Sequence, residues 1–151
     1  MSTVDAAIFA THLVFAGLWS GSVLFMSYAV LPTALNGDSR PTPLSSITGK
    51  LKTVSRASAV LMLVTGGHLA ATRYTAESLT GTGRGHLVIT MVVLWFALAA
   101  LVEIGASKLT DGFDQQKVRQ PARDAKPFLY GASLVAVLLL VDAGAIIGLY
   151  Y

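Results

Sequence analysis

Apolar and polar positions along the chain separate into four long apolar runs divided by three polar stretches. The runs cover about residues 5–31, 54–74, 86–107 and 127–151. Each reaches the ~20 residues that an α-helix needs to cross a hydrocarbon core of ~30 Å. Strands are shorter, and in lipid a helix satisfies its own backbone within one segment. The pattern predicts an all-α polytopic membrane protein, a single domain over 1–151 built as a bundle of four transmembrane helices. The segment "PLSSITGKLKTVSR" can extend the second helix into the interface. The first run is not expected to be a cleaved signal peptide. It has no basic residue ahead of it, it is too long, and it carries Thr11, His12, Ser20 and Ser22.

Composition agrees. Of 151 residues, 54% are hydrophobic and 13% charged, against roughly 25% charged in soluble domains. Mean hydropathy is +0.64. There are no cysteines, which excludes disulfides, zinc ribbons, iron–sulfur clusters and thiol catalysis.

A net charge of +3 and a pI of 9.4 would suit a nucleic-acid partner, but the placement of the charges does not. Arg40, Lys50, Lys52 and Arg56 lie in or beside the first loop. Lys108, Lys117, Arg119, Arg123 and Lys126 mark the third loop, about 106–126. The second loop has only Arg73 and Arg84, and the N-terminal tail has none. By the positive-inside rule, loops one and three face the cytoplasm, and both termini and loop two face outward from the cell membrane. The basic residues then serve topology and anionic lipid, and no nucleic acid is expected. "GTGRGH" lies in an outer loop and is no phosphate-binding loop, and no hydrolase-type nucleophile–base pair is visible. Whether the protein is an enzyme stays open.

The candidate chemistry lies near the outer side. His12 is about two turns below the outer end of the first helix, His68 is near the outer end of the second, and His86 opens the third. Polar groups inside membranes tend to face the bundle interior and mark function. A histidine there holds a metal or haem, or bonds a carbonyl between helices. Trp19 is seven residues from His12 and only about 20° off its azimuth, with Met26 seven further on. Gly17 with Gly21, and Gly144 with Gly148, have the G-x-x-x-G spacing of close helix packing. Gly66 and Gly67 leave room for a flat cofactor or make tight helix contacts. Asp142, in "LLLVDAGAI", lies near the depth of His12. It is expected to orient a ligating imidazole, to bind a cation or proton, or to hydrogen-bond a neighbouring helix. Glu103 reads as an interface residue. Met91, Met62 and Met26 descend from the outer half through the middle to the inner half, as a thioether relay for Cu(I) or as core filler.

"HLVFAGLWSGSVLF" followed by "YAVLP" resembles the first helix of the copper-resistance protein D (CopD) family, on His12, Trp19, Gly21 and Pro32. In outline the chain is also similar to HemJ-type protoporphyrinogen oxidases, small haem-associated four-helix proteins. The CopD resemblance implies copper handling at the outer face, with His12 as a candidate ligand. The HemJ resemblance implies haem or porphyrin chemistry at a histidine. HemJ-like enzymes use a lysine within their helices, whereas every lysine here lies in or beside a cytoplasmic loop.

Haem b in a four-helix bundle commonly takes two imidazoles from different helices. His12 with His68 would supply them, with Trp19 as an apolar floor, Arg73 and Arg84 or His86 at the propionates, and Asp142 behind a ligand. Copper would use the same histidines, His12, His68 and His86. The expectation favours haem b and electron transfer with a quinol or redox-protein partner. Copper binding or transport is the alternative, and a structural accessory subunit of a larger membrane complex is the second. A homo-oligomer is equally compatible.

Overall fold

The apolar runs fold as helices that continue past them. The computed structural model describes residues 2–150. In chain order these form α1 (Thr3–Phe25), a π-helical segment (Met26–Val30), α2 (Leu31–Asn36), α3 (Pro41–Arg73), α4 (Ala76–Gly81), α5 (Gly83–Asp114) and α6 (Arg119–Tyr150). Four stretches are long and apolar enough to cross a membrane: Thr3–Asn36, Pro41–Arg73, Gly83–Asp114 and Arg119–Leu149. Their outward faces carry Val14, Phe25, Val64, Val93, Phe96 and Val141, all exposed, the surface that lipid covers. The protein is an integral membrane protein with an all-α, four-helix bundle fold.

Local chemistry sets the helix ends. Ser2 caps α1 in a box with Asp5, whose backbone N–H donates to the Ser2 hydroxyl at 3.1 Å. Gly37, with φ +78°, closes α2 in the left-handed conformation. Pro41 then opens α3, where its missing N–H costs nothing. Thr82 caps α5 by accepting from Gly85 N–H at 3.0 Å. The π-helical turn lies just ahead of Pro32, whose ring in a regular helix would press on the Tyr28 carbonyl. The wider turn also leaves the Ser27 hydroxyl 2.9 Å from Val23 O and 3.0 Å from Leu129 O, tying α1 to α6.

Around the bundle, α1 packs on α3, α3 on α5, α5 on α6 and α6 on α1, with α5–α6 the most extensive contact. Small residues bring α5 and α6 together: Ala106, Ala122, Ala125, Ala132 and Ala136 are all fully buried. Gly105 lies against Leu129, and a side chain at Gly112 would overlap the Pro121 ring. The two G-x-x-x-G pairs do not contribute. A Cβ built on Gly17, Gly21, Gly144 or Gly148 would meet nothing within 4 Å, so these glycines face away from the bundle. Spacing alone does not say which way a helix turns its small residues.

The basic end is knitted by polar contacts that the apolar runs do not reveal. The Arg119 guanidinium donates to Asn36 O from Nη2 at 2.8 Å and from Nε at 3.2 Å, joining loop one to loop three. Arg56 Nε donates to Glu103 at 3.2 Å, and Lys52 Nζ lies 3.8 Å from the same carboxylate. Glu103 is thus paired with basic residues across α3 and α5.

Candidate functional site

Towards the end of the bundle that carries both termini, the four long helices part around a cavity of about 150 Å³. His12, Ala16 and Trp19 line it from α1, Met62 and Gly66 from α3, Val88 and Met91 from α5, and Ala143 and Ile146 from α6. Arg73, Tyr74 and Arg84 also line it. The rest of the wall is mainly apolar.

His12 is held by α3. Its Nδ1 lies 2.8 Å from Thr65 Oγ1. The Thr65 hydroxyl is 2.6 Å from Leu61 O, to which it donates. Thr65 therefore accepts from His12, which assigns the proton of the neutral ring to Nδ1 and leaves the Nε2 lone pair bare. An imidazole oriented in this way is the usual arrangement of a metal ligand. Gly66 makes the approach possible: a Cβ there would lie 3.0 Å from His12 Cε1. The room beside "GGH" is thus filled by the His12 ring, while Gly67 faces open space.

Trp19, one heptad along α1, is 1% exposed, and its Nε1 donates to Ser55 Oγ at 2.8 Å. Met62, Thr65 and Gly66 follow the i, i+3, i+4 spacing and share one face of α3. Met62 therefore enters the cavity from the same face that holds His12, and Met91 enters from α5. One imidazole and two thioethers thus line one cavity, and side chains of these types are soft, neutral donors of the kind that suits Cu(I).

The other predicted residues lie elsewhere. His68 Nε2 is 3.4 Å from Asp5 Oδ1 at the exposed terminal end. His86 Nε2 donates to Thr80 O at 2.8 Å, also exposed. Neither lines the cavity. Arg73 stacks over Phe9 at 5.7 Å and Arg84 over Tyr74 at 5.6 Å. Asp142 does not line the cavity either, though it is 7% exposed and lies on the α6 face between Leu139 and Ile146, which do. The structure therefore gathers His12, Trp19, Arg73 and Arg84 around one space and leaves out His68, His86 and Asp142. Among the described residues, no three His, Cys, Asp or Glu side chains are grouped for a metal.

Residues 46–150 match the family of copper resistance protein D, CopD. The chain belongs to the CopD family. No curated protein and no solved structure matches it. The CopD match begins within α3 and includes Met62, Thr65, Gly66, Met91 and Asp142. Helix α1, whose "HLVFAGLWSG" carries the resemblance read from the sequence, precedes it.

Sequence reasoning missed Thr65 and Ser55, the partners of His12 and Trp19 in this CopD-family bundle. Met62 and Met91, read from the sequence as a relay or as core filler, both line the His12 cavity. The Met62–Thr65–Gly66 spacing was the available signal, since it puts a thioether, a hydroxyl and a gap on one helix face. Met26 lies apart, buried in the core towards the basic end, where it lines a separate hollow with Lys50 and Leu51.

Proposed function

We propose that this CopD-family protein binds Cu(I) as cargo inside the bundle, through His12 Nε2 and the sulfurs of Met62 and Met91, in the course of copper transfer across the membrane. What supports the reading is that one oriented imidazole and two thioethers from three helices open on the same cavity. With loops one and three in the cytoplasm, the site lies in the outer half of the membrane. Bis-imidazole haem b would ask for a second imidazole at the same space, and His68 and His86 are bonded elsewhere. Copper asks for none.

The test is copper content and absorbance of the detergent-purified protein, loaded anaerobically from a Cu(I)–chelator complex. One Cu(I) per chain, lost or strongly weakened in His12→Ala, is expected. A Soret band without copper would replace this reading with haem b, and neither would leave an accessory subunit.

A further inference from the structure

Asp142 is the buried titratable group that the copper donor set does not use. It is 7% exposed, and its Oδ2 is fully buried with no hydrogen-bond partner among the described residues. A bare carboxylate in an apolar interior is costly, so this site needs either a proton or a cation to offset the charge. On α5, which packs most closely against α6, the buried Trp95 Nε1 also has no partner.

Two contacts set the register from which the level of Asp142 is counted. Gly131 meets Leu101 across the antiparallel α5–α6 pair. Counting equally along both helices towards the terminal end brings Asp142 beside Thr90, next to Met91. Ser27 meets Leu129 between α1 and α6, and the same count brings Asp142 level with Val14. That is about two residues from His12, roughly 3 Å along the axis.

The other titratable and charged groups facing this end from the packed elements are few. Helix α1 presents His12, with Asp5 further out, and α5 presents Arg84 and His86 further out. The π-helical segment and α2 pack on the inner half of α6 and add none at this level. On α6, Asp142 is the sole charged residue beyond Lys126 among those described. It is therefore the one carboxylate level with His12 and Met91.

We infer that Asp142 is a proton-binding site whose proton leaves when Cu(I) enters the neighbouring cavity, so that the bundle exchanges one copper ion for one proton. This rests on the copper reading above. The proposed donors are neutral, so Cu(I) alone would add a full positive charge to a low-dielectric site. Breaking the carboxyl O–H bond leaves both electrons on the oxygen and sends the proton to water at a membrane face. The carboxylate then offsets the copper charge. Copper keeps its oxidation state, and the site keeps its net charge.

The test is anaerobic titration of the purified full-length protein with a Cu(I)–chelator complex in weak buffer, recording protons released per copper bound. One more proton per copper is expected from wild type than from Asp142→Asn. The wild-type Cu(I) affinity should rise about tenfold more per pH unit than that of the variant. Infrared difference spectra of wild type alone should show a protonated-carboxyl C=O band disappearing as copper binds, which serves if Asp142→Asn does not fold. Copper bound with equal proton release in both proteins, or without loss of the band, overturns the exchange and leaves the copper reading standing. No copper bound by wild type overturns that reading, and the exchange with it.

Discussion

His12 and Thr65 are joined by a directed hydrogen bond across α1 and α3: Nδ1 donates to Oγ1 at 2.8 Å, and the same hydroxyl donates onward to Leu61 O. The second bond decides the direction of the first, and so which ring nitrogen is left for a ligand. Thr65→Val keeps the shape and removes the acceptor. Losing such an orienting partner typically costs ~10–100-fold in metal affinity. We expect Cu(I) affinity, measured against a competing chelator, to fall by at least about tenfold in Thr65→Val and to be largely kept in Thr65→Ser. An unchanged Thr65→Val would make the hydrogen bond structural only.

Gly66 and Gly67 give a matched pair of opposite sign. Alanine gains up to ~1 kcal/mol over glycine inside a helix. At Gly67 nothing lies within 4 Å of the new Cβ, so Gly67→Ala should raise thermal stability slightly and leave copper binding alone. At Gly66 the Cβ would press on the His12 ring, and overpacking costs about 1–3 kcal/mol. Gly66→Ala should therefore lower stability by up to about 2 kcal/mol and weaken Cu(I) binding. Equal behaviour of the two variants would contradict the fitted ring.

Trp19 and Ser55 test the core beside the cavity. The Trp19 indole is buried, and Ser55 accepts its proton at 2.8 Å. Ser55→Ala strands that N–H, at a cost of about 1 kcal/mol for a hydrogen bond between membrane helices. The expected outcome is a lower unfolding midpoint in detergent with the helical circular dichroism intact. A midpoint equal to wild type would mean that the indole finds another acceptor.

The basic loops predict an orientation that can be read directly, because the chain has no native cysteine to interfere. Glu77 and Gln115 are both exposed, at opposite ends of the bundle. In intact cells an impermeant thiol reagent should label Glu77→Cys and spare Gln115→Cys. The reverse pattern would turn the protein over and move the cavity to the inner half of the membrane.

The four spanning helices were legible because hydrocarbon imposes length and composition together. Their full extent was not. The apolar run near 54–74 is the lipid-facing part of a helix that begins at Pro41. Its first turns are polar because they reach the interface, where Lys52 and Arg56 pair with Glu103. The first run stops near Leu31, yet the chain stays helical to Asn36 by widening one turn ahead of Pro32.

At the site, the heptad from His12 to Trp19 was visible, and both residues line the cavity. Their partners were not, because Thr65 and Ser55 are ordinary residues until α3 is laid against α1. From the sequence, His12 and His68 both fall in the outer part of the bundle, but position along a helix carries no azimuth. His68 turns to Asp5 at the surface, and His12 turns inward to Thr65.

The central claim is a Cu(I) ion held by one imidazole and two thioethers, and X-ray absorption at the copper K-edge tests it most directly. With no cysteine in the chain, any sulfur bound to copper comes from methionine. The wild-type spectrum should show Cu(I) with one nitrogen and two sulfur neighbours. In the Met62→Leu, Met91→Leu double variant the sulfur shell should vanish. Copper bound by nitrogen and oxygen alone in wild type, or an unchanged sulfur shell in the double variant, would contradict the account.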